Sequence, residues 1–162
     1  PERFLGAVNQ GLKALLGPMN SPIFASAFYL VADSKSGELR YSSAGHPSPL
    51  HLRRSAGSVE PLKFPQGAHG PSLGLFEDAA FPAARCQLAP GDEVVLFTDG
   101  LFEVLGENEE EYGMERLLAA VQQRLRLPAD KLFDELLNEA RRFAASQQFV
   151  DDVCLVGMER RA

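Results

Sequence analysis

The sequence predicts an α+β fold, in which antiparallel sheets pack against helices. Strand-like segments, where apolar and polar residues alternate or apolar residues run together, follow one another with only turns between them. Helical segments, where apolar residues recur every three or four positions, stand at the start of the chain and as a pair near its end. This order differs from the regular strand–helix alternation of parallel α/β proteins.

The N-terminal half is predicted as one helix, a three-stranded meander and a long loop. Residues 2–16 carry apolar side chains at helical spacing, and the Gly-Pro pair at 17–18 is expected to end the helix. Residues 23–54 predict three consecutive antiparallel strands, with a glycine in the first turn. Residues 55–75 are rich in glycine, proline and serine, so we expect an irregular loop there, a candidate docking surface.

The C-terminal half is predicted as a hairpin, two helices and a last strand. Residues 83–98 indicate two strands joined by a Pro-Gly-Asp turn. Residues 113–126 and 128–146 each place apolar side chains on one helical face. The segment "VCLVGM" then reads as a closing strand. No change in composition requires a second domain, so residues 1–162 are predicted to form one domain.

Charge and composition exclude several classes of function. The chain has 22 acidic and 16 basic residues and no basic stripe, which argues against nucleic-acid binding. No apolar run approaches the roughly 18 residues of a membrane span. The two cysteines, Cys86 and Cys154, lack the CxxC spacing of a zinc site. The first residue is proline and no signal peptide follows, so we expect an internal part of a longer cytoplasmic protein.

Three aspartates form the first candidate site. Asp99 follows four apolar residues and a threonine ("VVLFT") and precedes Gly100, whereas Asp151 and Asp152 stand directly before the last strand. If those two strands are neighbours, Asp99 and one aspartate of the pair meet at the same sheet edge. Carboxylates so placed would repel unless a cation lay between them, and oxygen ligands suit Mg²⁺ or Mn²⁺. The alternative remains that these residues only form solvated turns, since Asp-Gly is a common turn pair.

Two other features have weaker claims. His46 lies in a Gly-His-Pro bend. A catalytic histidine would need a partner serine, cysteine or second histidine, and the spacing of the sequence suggests none. The acidic stretch at 107–111 is typical of a solvated loop. We therefore expect a structural role for the histidine and no site at the acidic stretch.

Four segments, taken in order, resemble the PPM-type (PP2C-like) serine/threonine phosphatases, and most closely their bacterial SpoIIE/RsbU branch. "FASAFYLVADSKSGELRYSSAGHPSPL" is similar to that branch's strand pair and AGHxPP signature, and "GPSLGLF" to its glycine loop. "LAPGDEVVLFTDGLFEV" resembles its LxPGDxLxLYTDGxxE segment, and "FVDDVCLVGM" its terminal DDxTLLV strand. The four matches lie in family order along the whole chain.

The resemblance implies an αββα sandwich with a centre of two Mn²⁺ or Mg²⁺ ions. Asp99 matches the metal-binding aspartate of the TDG motif, and Asp151 matches the first aspartate of the DD motif, also a ligand. Asp152 is expected to support the site without binding metal directly, and Gly100 to serve the turn. The implied chemistry is hydrolysis of phosphoserine or phosphothreonine by a metal-activated water, with no covalent phospho-enzyme.

The chain also departs from the family pattern. The family's opening GDxxD and DVxGHG motifs, which supply further metal ligands, do not occur here. The sequence therefore resembles the later part of the domain, and we expect it to be inactive or weakly active by itself. Without the opening strands, apolar surface and a strand edge would be left uncovered, so the chain is expected either to need that segment or to self-associate.

Two functions remain open at the level of sequence. The first is a protein phosphatase of bacterial signalling, acting by family analogy on an anti-sigma-factor antagonist (STAS) domain and following a receiver or sensor module. The second is a degenerate phosphatase fold that serves as a protein-binding output domain. The missing motifs favour the second function, and the retained aspartates at two strand ends favour the first.

Overall fold

A computed structural model of the chain describes residues 1–16, 23–65 and 69–161. Its elements are, in chain order, α1 (Glu2–Leu16), β1 (Ala27–Ala32), β2 (Glu38–Ala44), β3 (Leu50–Arg53), β4 (Ser58–Pro61), β5 (Ala83–Gln87), β6 (Glu93–Phe97), α2 (Gly113–Gln123), α3 (Ala129–Phe143) and β7 (Leu155–Glu159). The chain divides into two compact units, one made of Pro1–Ser48 and Leu62–Leu88, the other of Pro49–Pro61 and Ala89–Ala162. These are, respectively, the first unit and the second unit of the chain.

The first unit is a three-stranded antiparallel sheet with one helix. Its strands are ordered β1-β2-β5. Leu5, on the helix, packs with Ala44, Leu73 and Phe81 in a small apolar core.

One buried asparagine fixes the helix of the first unit to a loop. The Asn9 side chain donates to the carbonyl oxygen of Phe76 at 2.9 Å and accepts from the backbone nitrogen of Gly74 at 2.8 Å. Both polar ends of a side chain that is only 1% exposed are thus satisfied. The prediction of a helix over 2–16 is confirmed, whereas the Gly-Pro pair expected to end it lies outside the described residues.

The second unit is a four-stranded antiparallel sheet with a helix pair. Its strands are ordered β4-β3-β6-β7. The apolar faces predicted for the two helices are buried, with Leu117 and Val121 on α2 and Leu132 and Leu136 on α3 at 1% exposure or less.

The predicted α+β class with antiparallel sheets is confirmed, but three local predictions are wrong. The first two strands pair as expected, whereas β3 pairs with β4 and β6 instead of completing a meander. The strands at 83–98 do not form a hairpin, because β5 pairs with β2 and β6 pairs with β3 and β7. The region 55–75 is not wholly irregular, since it contains β4. Alternation of apolar residues fixes which face of a strand is buried, but it does not identify the partner strand.

Candidate functional site

The ends of β6 and β7 bring the predicted aspartates to one edge of the sheet. These strands are antiparallel neighbours, with Phe97 opposite Leu155. Asp99 follows the end of β6, and Asp151 and Asp152 precede the start of β7, so all three stand at the same end of the strand pair. The strands are thus neighbours, which is the condition that the candidate site at this edge required.

Thr98 links the two strand ends through its side chain. Its hydroxyl donates to the carbonyl oxygen of Asp152 at 2.8 Å and accepts from the backbone nitrogen of Cys154 at 2.9 Å. The backbone nitrogen of Thr98 donates to the carbonyl oxygen of Cys154 at 3.1 Å. The threonine was not predicted as a site residue. The signal in the sequence was slight, namely that it is the chain's only threonine and directly precedes Asp99.

Gly100 lies against the backbone of the aspartate pair. A Cβ atom at this position would lie 2.7 Å from the carbonyl oxygen of Asp152 and 3.2 Å from the carbonyl carbon of Asp151. The first distance is shorter than real Cβ atoms show, the second is tight, and the opposing atoms are backbone. Glycine is therefore required here by the close approach of two chain segments, in addition to its place in a turn.

The carboxylates of the candidate ligands are exposed and partly oriented. Asp99 Oδ1 accepts from the Gly100 nitrogen at 3.1 Å, and Asp151 Oδ1 accepts from the Asp152 nitrogen at 2.7 Å. Within the described part of the chain, the second oxygen of each carboxylate has no hydrogen bond. Exposed carboxylate oxygens are donors that Mg²⁺ and Mn²⁺ accept, so the residues present fit part of a metal centre.

The remaining part of such a centre is not found in the described ranges. Residues 1–16, 23–65 and 69–161 contain no group of three or more histidine, cysteine, aspartate or glutamate side chains that could hold a metal ion.

The interpretation of Asp99 as a turn residue also has support. Asp99 begins the 3-10 helix Asp99–Leu101, and its carbonyl oxygen accepts from the nitrogens of Phe102 and Glu103, each at 2.9 Å. Asp99 therefore has a turn role whether or not it binds a cation.

The opposite end of β6 carries a largely buried cluster of ionisable side chains that the sequence did not predict. Asp92 Oδ2 lies 3.0 Å from His51 Nε2 and accepts from the Ala89 nitrogen at 3.0 Å. Glu93, only 1% exposed, pairs with Arg54 at 2.6 Å. The other half of the Arg54 guanidinium donates to the carbonyl oxygen of Leu125. This cluster joins β3, β6 and the segment after α2 within the second unit.

The other features of the sequence have local roles. His46 Nδ1 lies 2.8 Å from the carbonyl oxygen of Pro47, and the His46 carbonyl oxygen accepts from the Ser43 hydroxyl at 3.0 Å. In the acidic loop, Glu110 accepts from the backbone nitrogen of Asn108 at 2.9 Å. No helix in the described ranges has the length and apolarity needed to cross a membrane.

Comparisons with known proteins agree with this fold. The family description "Stage II sporulation protein E (SpoIIE)" matches residues 1–161. Protein IcfG of Synechocystis sp. (strain ATCC 27184 / PCC 6803 / Kazusa) is 30% identical over 96 residues, which cover 59% of the chain. The chain spans only 14% of the length of IcfG.

Solved structures of two bacterial proteins have the same fold. The RsbU and RsbW domains of Rv1364c from Mycobacterium tuberculosis match with a TM-score of 0.69 and 31% identity, over 85% of this chain and 36% of that one. The SiaA-PP2C domain of Pseudomonas aeruginosa matches with a TM-score of 0.79 and 20% identity, over 98% of this chain and 60% of that one. The match over almost every residue shows that the chain belongs to the SpoIIE family of PP2C-like phosphatases.

Proposed function

We propose that the chain is the later part of a metal-dependent phosphatase domain that hydrolyses phosphoserine or phosphothreonine on a signalling protein. The observation that carries the proposal is the placement of Asp99 and Asp151 at the same end of two neighbouring strands. Membership of the SpoIIE family supports the reaction class.

In this proposal Asp99 and Asp151 each offer one carboxylate oxygen to a divalent cation. The other oxygen of each carboxylate already accepts a hydrogen bond from a backbone N–H. The side chain therefore loses less conformational freedom when a metal ion binds. Bound Mn²⁺ or Mg²⁺, two ions in the complete domain, would activate a water and neutralise phosphate charge. Manganese is supported by a structure of the Bacillus subtilis SpoIIE phosphatase domain described as "Mn presoaked", whose fold this chain matches with a TM-score of 0.65 at 17% identity.

The remaining ligands would come from residues that the chain does not include. The chain spans 36% and 60% of the two solved proteins described above. The opening motifs of the family, which the sequence lacks, would supply those ligands in the natural protein. The aspartate-bearing edge alone is therefore proposed to bind metal weakly and to turn over substrate poorly.

The substrate and the partner modules belong to the same proposal. Rv1364c contains RsbU and RsbW domains in one protein, which favours a place for this chain in partner-switching signalling. The substrate would then be a phosphoserine on a STAS-type antagonist, and a receiver or sensor module would regulate the domain. A cytoplasmic location suits that pathway.

The alternative function is a degenerate domain that binds a signalling protein without hydrolysing it. The observation that favours it is that no group of three potential metal-binding side chains occurs in the described ranges. The two functions differ in one measurable respect, because only the first requires Mn²⁺-dependent release of phosphate.

The test uses the natural protein in which this chain occurs, assayed with Mn²⁺ on a phosphoserine protein. We expect Asp99→Asn and Asp151→Asn each to lower kcat/KM at least about 100-fold, because each removes a metal ligand. Asp134→Asn, at an exposed position on α3, is the matched control and should retain activity. Full activity in either ligand variant would refute the ligand assignment, and a wild-type protein that binds the phosphoprotein without hydrolysing it would favour the degenerate domain.

A further inference from the structure

The last rung between β6 and β7 is built in an unusual way. In a regular antiparallel ladder, a hydrogen-bonded pair of residues exchanges two bonds between main-chain groups. Here the Thr98 nitrogen donates to the Cys154 oxygen, but the Cys154 nitrogen donates to the Thr98 hydroxyl. The side chain thus takes the place of the Thr98 carbonyl in the ladder.

Because the Thr98 hydroxyl accepts this hydrogen bond, the chain can turn at Asp99 while the Cys154 nitrogen keeps a bonding partner. The Thr98 carbonyl, released from the ladder, accepts from the Leu101 nitrogen at 3.2 Å and closes the first turn of the 3-10 helix. Threonine at a helix N-cap commonly uses its side chain to cap the helix. The Thr98 side chain makes no capping bond and is directed to β7 instead.

The same hydroxyl also fixes the peptide that carries the aspartate pair. Its proton goes to the carbonyl oxygen of Asp152, so the donor and an acceptor site of the hydroxyl are both used. Gly100 leaves the space for that carbonyl, which would lie 2.7 Å from a Cβ atom. The backbone on both sides of Val153 is therefore held by one side chain of the opposite strand.

We propose that Thr98 is a positioning residue that holds the Asp151–Asp152 backbone in register with Asp99, so that the two carboxylates can share a divalent cation. Thr98 does not bind the metal in this inference, which rests on the proposed function of the aspartate edge. Positioning requires the hydroxyl of Thr98 but not its methyl group. Serine at this position should therefore preserve metal binding, whereas valine, which has the shape of threonine but no hydroxyl, should not.

The experiment measures Mn²⁺ affinity and backbone protection in the natural protein. Free Mn²⁺ is followed by electron paramagnetic resonance in wild type, Thr98→Val, Thr98→Ser and Asp99→Asn. We expect Thr98→Val to weaken Mn²⁺ binding about tenfold, because two hydrogen bonds are lost, and Thr98→Ser to stay within about threefold of wild type. Ser42→Ala removes a buried hydroxyl that bonds to Phe81 in the first unit, so it is the matched control and should bind Mn²⁺ as wild type does.

Hydrogen exchange without metal separates positioning from general loss of stability. By mass spectrometry, peptides that cover 150–156 should exchange faster in Thr98→Val only, whereas peptides from α2 and α3 should exchange as in wild type. Wild-type Mn²⁺ affinity in Thr98→Val, with binding lost in Asp99→Asn, would overturn this inference and leave the proposed function intact. Equal Mn²⁺ binding by wild type and Asp99→Asn would overturn the proposed metal edge and, with it, the role given to Thr98.

Discussion

At the level of single residues, the carbonyl oxygen of Asp152 is the contact point between the two strand ends. It accepts from the Thr98 hydroxyl and faces the open side of Gly100.

The acidic residues of this edge could be predicted from the sequence, because aspartates directly after or before apolar strands are visible in the pattern. The threonine could not, because a hydroxyl's role depends on which backbone groups the fold brings within reach.

Replacing Gly100 by alanine should destabilise the fold and disturb the edge together. The added Cβ would meet backbone atoms of Asp151 and Asp152, which cannot rotate away as a side chain can. We expect a loss of about 1–3 kcal/mol in the free energy of unfolding, measured by urea denaturation. Gly11→Ala, on α1 with nothing within 4 Å of its added Cβ, is the control and should be neutral or slightly stabilising. Wild-type stability in Gly100→Ala would contradict the close approach.

Tyr41 should make the fold sensitive to alkaline pH. Its ring is buried and its hydroxyl donates to the carbonyl oxygen of Lys63 at 2.6 Å. Burial, with the nearby Cys86 as a smaller cause, raises the pKa of Tyr41 to about 12 from its ordinary value of 10. Between these values the unfolded chain releases a proton that the folded chain keeps, so the free energy of unfolding should fall as the pH rises from 10 to 12.

The test is urea denaturation at pH 9, 10 and 11 for wild type and Tyr41→Phe. The wild type should lose stability over this range more steeply than the variant, with a difference of roughly 1–2 kcal/mol at the highest pH. Parallel pH dependence in the two proteins would contradict the assignment to Tyr41. Tyr112, whose pKa is also raised, chiefly by burial and then by its bond to Glu139, is present in both proteins and does not affect the comparison.

At the level of secondary structure, the local pattern predicted most elements, but the only meander or hairpin pairing that it predicted correctly is β1 with β2. The helices and most strands follow from the spacing of apolar residues. The strand order in each sheet depends on contacts between residues far apart in sequence, such as Leu50 with Val95 and Leu39 with Cys86. The short strand β4 was missed because its four residues, Ser58–Pro61, lie in a region dominated by glycine, proline and serine.

Arg53, on β3, and Arg54, directly after it, allow the contribution of a buried ion pair to stability to be compared with that of an exposed one. Arg54 pairs with Glu93, whose side chain is 1% exposed, whereas Arg53 pairs with Glu60 at 3.1 Å with side chains 45% and 31% exposed. Removing one partner of a buried pair leaves an uncompensated charge, but an exposed pair contributes little. We expect Arg54→Ala to cost about 3–5 kcal/mol and Arg53→Ala at most about 1 kcal/mol.

Urea denaturation of both variants decides this prediction, and Glu93→Ala should resemble Arg54→Ala. A double variant lacking both Arg54 and Glu93 should lose less than the sum of the two single losses, because no unpaired charge remains. Equal losses of unfolding free energy in Arg53→Ala and Arg54→Ala would show that the buried pair contributes no more to stability than the exposed pair.

At the level of the whole molecule, the first unit exposes several large apolar side chains. Phe4 is 50% exposed, Leu15 is 86% exposed, and both lie on α1, the helix predicted to have an apolar face. Phe24 and Phe76, also in the first unit, are 58% and 59% exposed. Apolar area of this kind favours association by about 25 cal/mol per Å² that becomes covered.

The chain by itself is therefore expected to self-associate, and Leu15→Lys should weaken that association. Sedimentation velocity between about 5 and 200 µM should show a sedimentation coefficient that rises with concentration in wild type, and less so in the variant. Val150→Lys, at a 91% exposed position of the second unit, is the control and should behave as wild type. A wild-type chain that is monomeric across this range and melts cooperatively at high temperature would contradict the expectation.

Asp99 and Asp151 are the proposed metal ligands at one edge of the sheet of the second unit. The most direct measurement is anomalous diffraction at the manganese absorption edge, from crystals of the natural protein soaked with Mn²⁺. If both aspartates bind the metal, we expect a manganese peak within about 2.5 Å of a carboxylate oxygen of each. Manganese peaks elsewhere in the protein, with none at these two carboxylates, would contradict this assignment.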